Sequence, residues 1–302
     1  MPGRPIPLES ELLRFGYGHP DFVRRRAVLR ETLDTFTSAE PPNKYQVLAA
    51  SNLQRWKDET SQAKAQGQVR ILAGDWGEVT GALTREHGVC FAVLNMANAY
   101  VPGGGYVEGS PAQEENIFRR SDCHFYVTDR EYNVQLDRYL TEMTRLISAE
   151  DGLVYLDTEH PRTCIRGPED RSKPDLGYPW LPEHEIFPFF ELRAAAKDLR
   201  DGSDFDPDEA RHRIAAQLNT LRVNGIRHAV LGASGCGAFR NPSREVARIY
   251  KEELDARRAD FALIAFAIFA AGYGPGNYAP FAEVFKSSQS QAIYTGDGKS
   301  PE

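Results

Sequence analysis

The residues best equipped for chemistry are two adjacent carboxylates, Glu114 and Glu115. Gln113 precedes them, and a seven-residue spacer separates this triplet from the glycine run Gly103, Gly104 and Gly105. Glycines are costly to order and are kept where backbone must come close to something. Side chains next to each other on a helix point about 100° apart, so these glutamates cannot face one another across a substrate as the carboxylate pair of an ordinary glycosidase does. If both act, their tasks differ. Carboxylates near a helix start are also favoured by the helix dipole, which is a purely structural reason for one of them.

A second glycine-rich stretch, Gly232 to Gly237, follows the apolar run His228 to Leu231, just as the first follows Val89 to Ala97. Both loops leave the C-terminal ends of expected strands and run into expected helices, the edge of an open α/β sheet where ligands bind. Loop amides and a helix N-terminus there suit a phosphate or pyrophosphate. Neither loop has the spacing of a nucleotide-hydrolase P-loop. A dinucleotide fingerprint is disfavoured because Gly232 to Gly237 lies late in the chain with no acidic residue at the expected distance, which argues against a dehydrogenase.

The elements that must position these groups follow from periodicity. Phe22, Val23, Ala27, Leu29, Leu33 and Phe36 recur at helical spacing, and a second helix is expected over residues 44–66 with Gly67 as its stop. Beyond it the pattern alternates: a strand over 69–75, a helix over 77–88 closing at Gly88, and a strand over 89–97. Helices over 112–126 and 129–148 and a strand over 152–158 are expected next. Residues 159–186, dense in proline and charge, read as a surface excursion with a short strand at Thr163 to Arg166. A strand over 186–194, a helix from Pro207 to Val223 and the strand His228 to Leu231 come next. A helix then has Asn241 as N-cap and Pro242 at its first position, and a final central strand covers 261–269. The expected organisation is a helical extension over 1–66, an α/β domain over 67–286 and a polar tail over 287–302.

Composition narrows the classes. The 302 residues carry 36 basic and 43 acidic side chains, a formal charge of −7, so broad binding to nucleic-acid backbone is disfavoured. The four cysteines are scattered without zinc-ligand spacing, and neither a metal nor a cofactor is expected. The longest apolar run, Phe261 to Ala271, is short of the roughly 20 residues a membrane span needs. The first residues show no apolar core of a signal peptide, so a cytoplasmic chain without membrane attachment is expected.

The stretch Val93 to Asp122 resembles the motif of the poly(ADP-ribose) glycohydrolases, a glycine triplet followed at short spacing by Gln-Glu-Glu, and its flanks resemble the bacterial type. The resemblance implies a macrodomain-like fold, a three-layer α/β/α sandwich with a mixed central sheet. Gly232 to Pro242 resembles the second phosphate loop of macrodomains, and Ala73 to Trp76 is similar to their adenine-reading segment. By this likeness Glu115 is the acid/base and Glu114 holds a ribose hydroxyl. Gln113, Gly103, Gly104, Gly105 and Asn98 surround the ribose and diphosphate, and Gly235, Cys236, Gly237, Ala238 and Phe239 wrap the diphosphate. Asp75 either reads adenine or caps a helix, and Phe239 either lines the loop or is a core aromatic. The adenine-stacking residue is left open among Tyr273, Asn277, Tyr278 and Phe281. The implied partner is poly(ADP-ribose) or an ADP-ribosylated protein, and the implied reaction hydrolyses ribose–ribose O-glycosidic bonds. Release of single ADP-ribose units from arginine, or binding without turnover, are the alternatives. The segment Phe187 to Asp198 departs from the bacterial pattern.

Overall fold

A computed structural model describes residues 3–39, 43–60, 66–270 and 276–286. The central sheet has the order β1 (Gln68–Ala73), β8 (Leu263–Ile268), β7 (His228–Leu231), β2 (Phe91–Met96), β6 (Phe187–Ala194), β5 (Tyr155–Cys164). All neighbours run parallel except β5, which is antiparallel to β6, so the sheet is mixed as expected.

Alternation along the strands divides the core into two layers. On β2, Phe91 and Val93 are buried with Leu29 and Leu33 of α2 (Pro20–Thr37), Trp56 of α3 (Lys44–Glu59) and Leu83 of α4 (Trp76–His87). Ala92 and Leu94 face the other way, toward Ile214 and Leu218 of α7 (Pro207–Val223), Ile249 and Tyr250 of α8 (Ser243–Ala256), and Phe281 of α9 (Tyr278–Lys286). Buried side chains of this size contribute about 1.5–3 kcal/mol each, and α2 and α3 share that contribution with the sheet. A short α1 (Glu9–Arg14) precedes them. Among the described residues no helix is long and apolar enough to cross a membrane.

Several elements depart from the sequence reading. Residues 129–148 are not one helix: a hairpin of β3 (Tyr132–Asn133) and β4 (Arg138–Tyr139) comes first, and α6 covers only Thr141–Ile147. Asn133 Oδ1 accepts the amides of Gln135 and Leu136, an Asx turn that competes with helical bonding. The helix expected over 112–126 stops at Arg120 as α5 (Gln113–Arg120), followed by a 3-10 turn at Cys123–Tyr126. Helix α3 ends at Glu59, and Gly67 instead donates to the Phe261 carbonyl where the chain enters β1. The two strand pieces around residue 160 are one strand, β5, with a bulge between Asp157 and Arg162. The segment beyond it packs inward: Arg166 reaches Thr32 Oγ1 and Glu31, and Arg25 pairs with buried Glu169, so α2 is tied to it by charge. Asn241 does not cap α8. Pro242 holds that position, and Asn241 turns its side chain to nearby carbonyls.

Candidate active site

The site is built where β2 ends. Gln113, first residue of α5, continues the strand's bonding with its side chain: Oε1 accepts the Met96 amide at 3.0 Å and Nε2 donates to the Leu94 carbonyl at 2.7 Å. This fixes the start of α5 beside the strand and sets the direction of the two glutamates. Gln113 also borders the cleft, but its polar atoms are spent on positioning.

Glu114 is buried, and each oxygen is engaged: Oε2 accepts the Asn98 amide at 2.7 Å and Oε1 the Gly103 amide at 3.1 Å. Burial first, then the neighbouring Glu115, push its carboxyl well above the usual carboxylate range. Glu115 differs. Its Oε1 accepts the Gly105 amide at 2.9 Å, while its Oε2 is buried and has no partner among the described residues. An unpaired buried acceptor at a cleft wall is costly to maintain and points to a role with something that enters.

The glycine run works differently from the expectation that it offers bare amides to a ligand. The amides of Gly103 and Gly105 go to the carboxylates, and that of Gly104 goes to the Val101 carbonyl at 3.0 Å. Gly103 and Gly104 are buried and only Gly105 borders the cleft. The cause is desolvation: buried carboxylates need donors, and the loop amides are the nearest ones. The requirement for glycine is steric as well. Gly104 has φ of +54°, and a Cβ there would lie 2.6 Å from Glu115 Oε1. The spacer is packed rather than loose, with Tyr106 buried against Phe118 at 4.6 Å between ring centroids.

The second loop is the complement of the first. Gly235, Gly237, Ala238 and Phe239 border the cleft, and their amides donate to no acceptor among the described residues. Its base is closed by Asn241, whose Nδ2 donates to the carbonyls of Lys197 and Gly235 at 2.8 and 3.1 Å. Cys236 turns away: its side chain packs against the core shared by α7, α8 and α9, and burial pushes its thiol up to about 12. Phe239 lies on the cleft, with the Arg200 guanidinium 5.2 Å from its ring centroid.

Asp75 caps a helix, one of its two readings, and also borders the cleft. Its Oδ1 caps α4 by accepting the amides of Gly77 and Glu78, pairs with Arg120 at 2.6 Å, and the residue borders the cleft beside Trp76. Asn98 lines the cleft while its Oδ1 holds the amides of Tyr100 and Val101. Phe281 is withdrawn from the site: it is fully buried, with ring centroids 5.4 Å from Phe266 and 6.4 Å from Tyr250. Tyr273 lies outside the described residues. Tyr278 begins α9 and Asn277 borders the cleft, its Oδ1 meeting Ser243 Oγ.

Four contributors escaped the sequence reading. Phe269, at the end of β8, is 45% exposed and borders the cleft; its place directly after the last core residue of the strand was the available signal. Asn116 accepts from Trp76 Nε1 at 2.9 Å and from Arg120, tying α5 to α4. Glu169 and Arg171 form the wall opposite, and only the folding of the excursion onto α2 brings them there. Burial opposes ionisation of Glu169, but bonds from Arg25, Tyr178 and Arg171 outweigh it and bring its carboxyl down to about 2.

Together these residues enclose a cleft of about 520 Å³ at the C-terminal ends of β2, β7 and β8, within the usual size of a small-molecule site. Its lining includes Glu115, one of whose oxygens has no partner among the described residues, and four amides that donate to no acceptor among them. That combination suits an acid/base acting on a bond next to a bound anion.

Comparison with known proteins agrees with this geometry. Residues 32–151 match a family model described as microbial-type PARG, catalytic domain. No curated protein matches the chain. The crystal structure of poly(ADP-ribose) glycohydrolase (PARG) from Thermomonospora curvata is similar with a TM-score of 0.58 at 22% identity, covering 86% of this chain and 99% of that one. The T. curvata protein bound to the inhibitor ADP-HPD gives 0.56 at 21% identity, covering 86% and 98%. The PARG of Deinococcus radiodurans in complex with ADP-ribose gives 0.52 at 23% identity, covering 82% and 93%. The structural likeness establishes the fold, and the segment that matches the family model holds the glycine run and the Gln-Glu-Glu triplet with both carboxylates.

Proposed function

We propose that the protein hydrolyses the ribose–ribose O-glycosidic bond of poly(ADP-ribose) and releases ADP-ribose, with Glu115 as the acid and base. The observation that carries this is Glu115 itself, a side chain that borders the cleft with one oxygen fixed by the Gly105 amide and the other buried and without a partner among the described residues. Protonated Glu115 gives its proton to the leaving ribose oxygen as the bond to the anomeric carbon breaks. The resulting carboxylate takes a proton from a water that attacks that carbon, which restores the acid and leaves a hydroxyl there. The four free amides of the second loop suit the diphosphate, whose negative charge would stabilise the cationic sugar in the role an ordinary glycosidase gives to a second carboxylate. Glu114 braces the glycine loop through Asn98 and Gly103 and stays with the protein. Phe269 is the exposed aromatic of the described cleft wall suited to a base, with Asp75 bordering the same cleft.

The test compares wild type with Glu115→Gln on labelled poly(ADP-ribose) and on arginine-linked mono-ADP-ribosyl protein, following both ADP-ribose release and ADP-ribose binding. General acid/base catalysis contributes about 10²–10⁴-fold, so the variant should lose at least about 100-fold in release and still bind ADP-ribose. Release by the variant at the wild-type rate refutes the mechanism. A wild type that cleaves only the arginine-linked substrate, or binds without cleaving either, refutes the assignment to poly(ADP-ribose).

A further inference from the structure

Residues 3–6 run across the back of the glycine loop. Gly3 donates its amide to the Val127 carbonyl at 2.7 Å and lies flat on the His124 ring, where a Cβ would come within 2.1 Å of Nε2. The Arg4 amide donates to Tyr106 Oη, which also meets His124 Nδ1 at 2.8 Å. The Arg4 guanidinium is buried with each of its nitrogens engaged: Nε and Nη2 pair with Asp137, Nη2 also reaches Glu108, and Nη1 donates to the Gly104 carbonyl at 2.6 Å. Ile6 then packs against the core beneath α2 and α4.

The last of those bonds is the important one. The Gly104 carbonyl and the Gly105 amide belong to one peptide group, which is planar and trans, so the oxygen and the hydrogen point in opposite directions. Arg4 holds the oxygen and Glu115 Oε1 holds the hydrogen. The plane therefore cannot tilt without breaking one of the two, and the cation on its oxygen polarises the amide toward the carboxylate. The pivots on either side of this peptide, Gly104 and Gly105, are both glycines, with Gly104 at positive φ, and would otherwise leave it free to turn.

We infer that Arg4 is a positioning residue of the hydrolase: it locks the Gly104–Gly105 peptide so that its amide fixes Glu115 with the free oxygen on the cleft. This rests on the reading of Glu115 as the acid and base. Among the described residues Arg4 bonds to no cleft residue other than through that peptide, so its loss acts on turnover more than on ligand affinity.

The experiment measures kcat and KM for ADP-ribose release, the Kd for ADP-ribose, Tm, and the hydrogen-exchange rate of the Gly105 amide in wild type, Arg4→Ala, Arg4→Lys and Trp56→Phe. Arg4→Ala should lower kcat at least tenfold, change Kd less than threefold and speed Gly105 exchange at least tenfold. Arg4→Lys, a single point charge that cannot span Asp137 and the carbonyl together, should fall between. Trp56→Phe, in the core away from the glycine loop, should lower Tm with kcat unchanged, which separates instability from positioning. A folded Arg4→Ala protein with wild-type kcat, or with kcat and affinity lost in equal measure, overturns the inference. If Arg4→Ala does not fold, Arg4→Lys decides in the same way: wild-type kcat overturns, reduced kcat at unchanged Kd supports. A wild type that releases nothing refutes the functional reading alone, and Gly105 exchange then judges the Arg4 contact, unchanged exchange overturning it.

Discussion

Replacing Gly104 with alanine separates the two explanations for the glycine run, close approach to the Glu115 carboxyl and close approach to a ligand. The residue sits at φ +54°, and a Cβ would lie 2.6 Å from Glu115 Oε1 and 3.0 Å from Glu114 Oε2. Left-handed backbone costs a non-glycine residue about 1–2 kcal/mol. The methyl contact cannot be relieved by swinging a free side chain, because the Gly105 amide holds Glu115 and two amides hold Glu114. Yielding leaves at least one buried donor or acceptor unsatisfied, which costs about 1–3 kcal/mol. Stability should therefore fall by roughly 2–5 kcal/mol on these two contributions. A catalytic group displaced by about 1 Å costs about 100-fold in rate, equivalent to about 2.7 kcal/mol. The assay pairs initial rates of ADP-ribose release with denaturant unfolding, using Gly237→Ala as control. Gly237 has no neighbour within 4 Å of a would-be Cβ, so alanine there should leave stability within about 0.5 kcal/mol and raise KM by crowding the second loop. A Gly104→Ala enzyme with wild-type kcat would refute the reasoning, as would Gly237→Ala costing the same stability.

Two further outcomes follow from the cleft walls. Asn241→Ala leaves the Lys197 carbonyl without its donor and the Gly235 carbonyl with the residue 241 backbone amide alone and should cost about 1–3 kcal/mol while raising the Kd for ADP-ribose more than it lowers kcat; calorimetric titration and unfolding check both, and unchanged affinity contradicts it. Glu169, at about 2 in the fold against an ordinary 4.5, contributes stability that is present above about pH 4.5 and lost as pH falls toward 2, in total about 3 kcal/mol. The unfolding midpoint of wild type should thus drop more steeply between pH 5 and 3 than that of Glu169→Gln, and parallel losses would contradict the linkage.

What could be read in advance was what is local. The charged run Pro207–Val223, ending before Asn224 and Gly225, forms α7 as read, and the apolar runs at 89–97 and 261–269 contain the strands β2 and β8. The Gln-Glu-Glu triplet and the glycine run declare themselves because their neighbours in sequence are their neighbours in space. The hairpin at residues 132–139 did not, since its helix-favouring composition is overruled by one side chain, Asn133, capturing the amides of a turn. The buried arginines were least visible. Arg26, Arg119, Arg120, Arg162 and Arg193 are essentially inaccessible, whereas composition alone assigns arginine to the surface. Their partners are often remote: Arg25 finds Glu169 144 residues away, and Arg4 finds Gly104 at a separation of 100. For the same reason the second loop was recognisable from its glycines, but not the Asn241 side chain that closes it. The fate of the first loop's amides was hidden too, because it depends on the burial of the carboxylates rather than on the glycines.

The bulge in β5 has a consequence for solubility. β5 is a margin of the sheet, paired only with β6 over most of its length, and such a margin is a ready template for another molecule's strand. Between Asp157 and Arg162 this template is erased. Asp157 Oδ1 takes the amides of Glu159 and His160 back into its own chain, and Pro161 has no amide to offer. At the far end, Cys164 is bridged by Ser121. The irregularity that lets Arg162 turn inward to Glu191 therefore also denies neighbouring copies a continuous strand to pair with, which guards the concentrated protein against edge-to-edge aggregation.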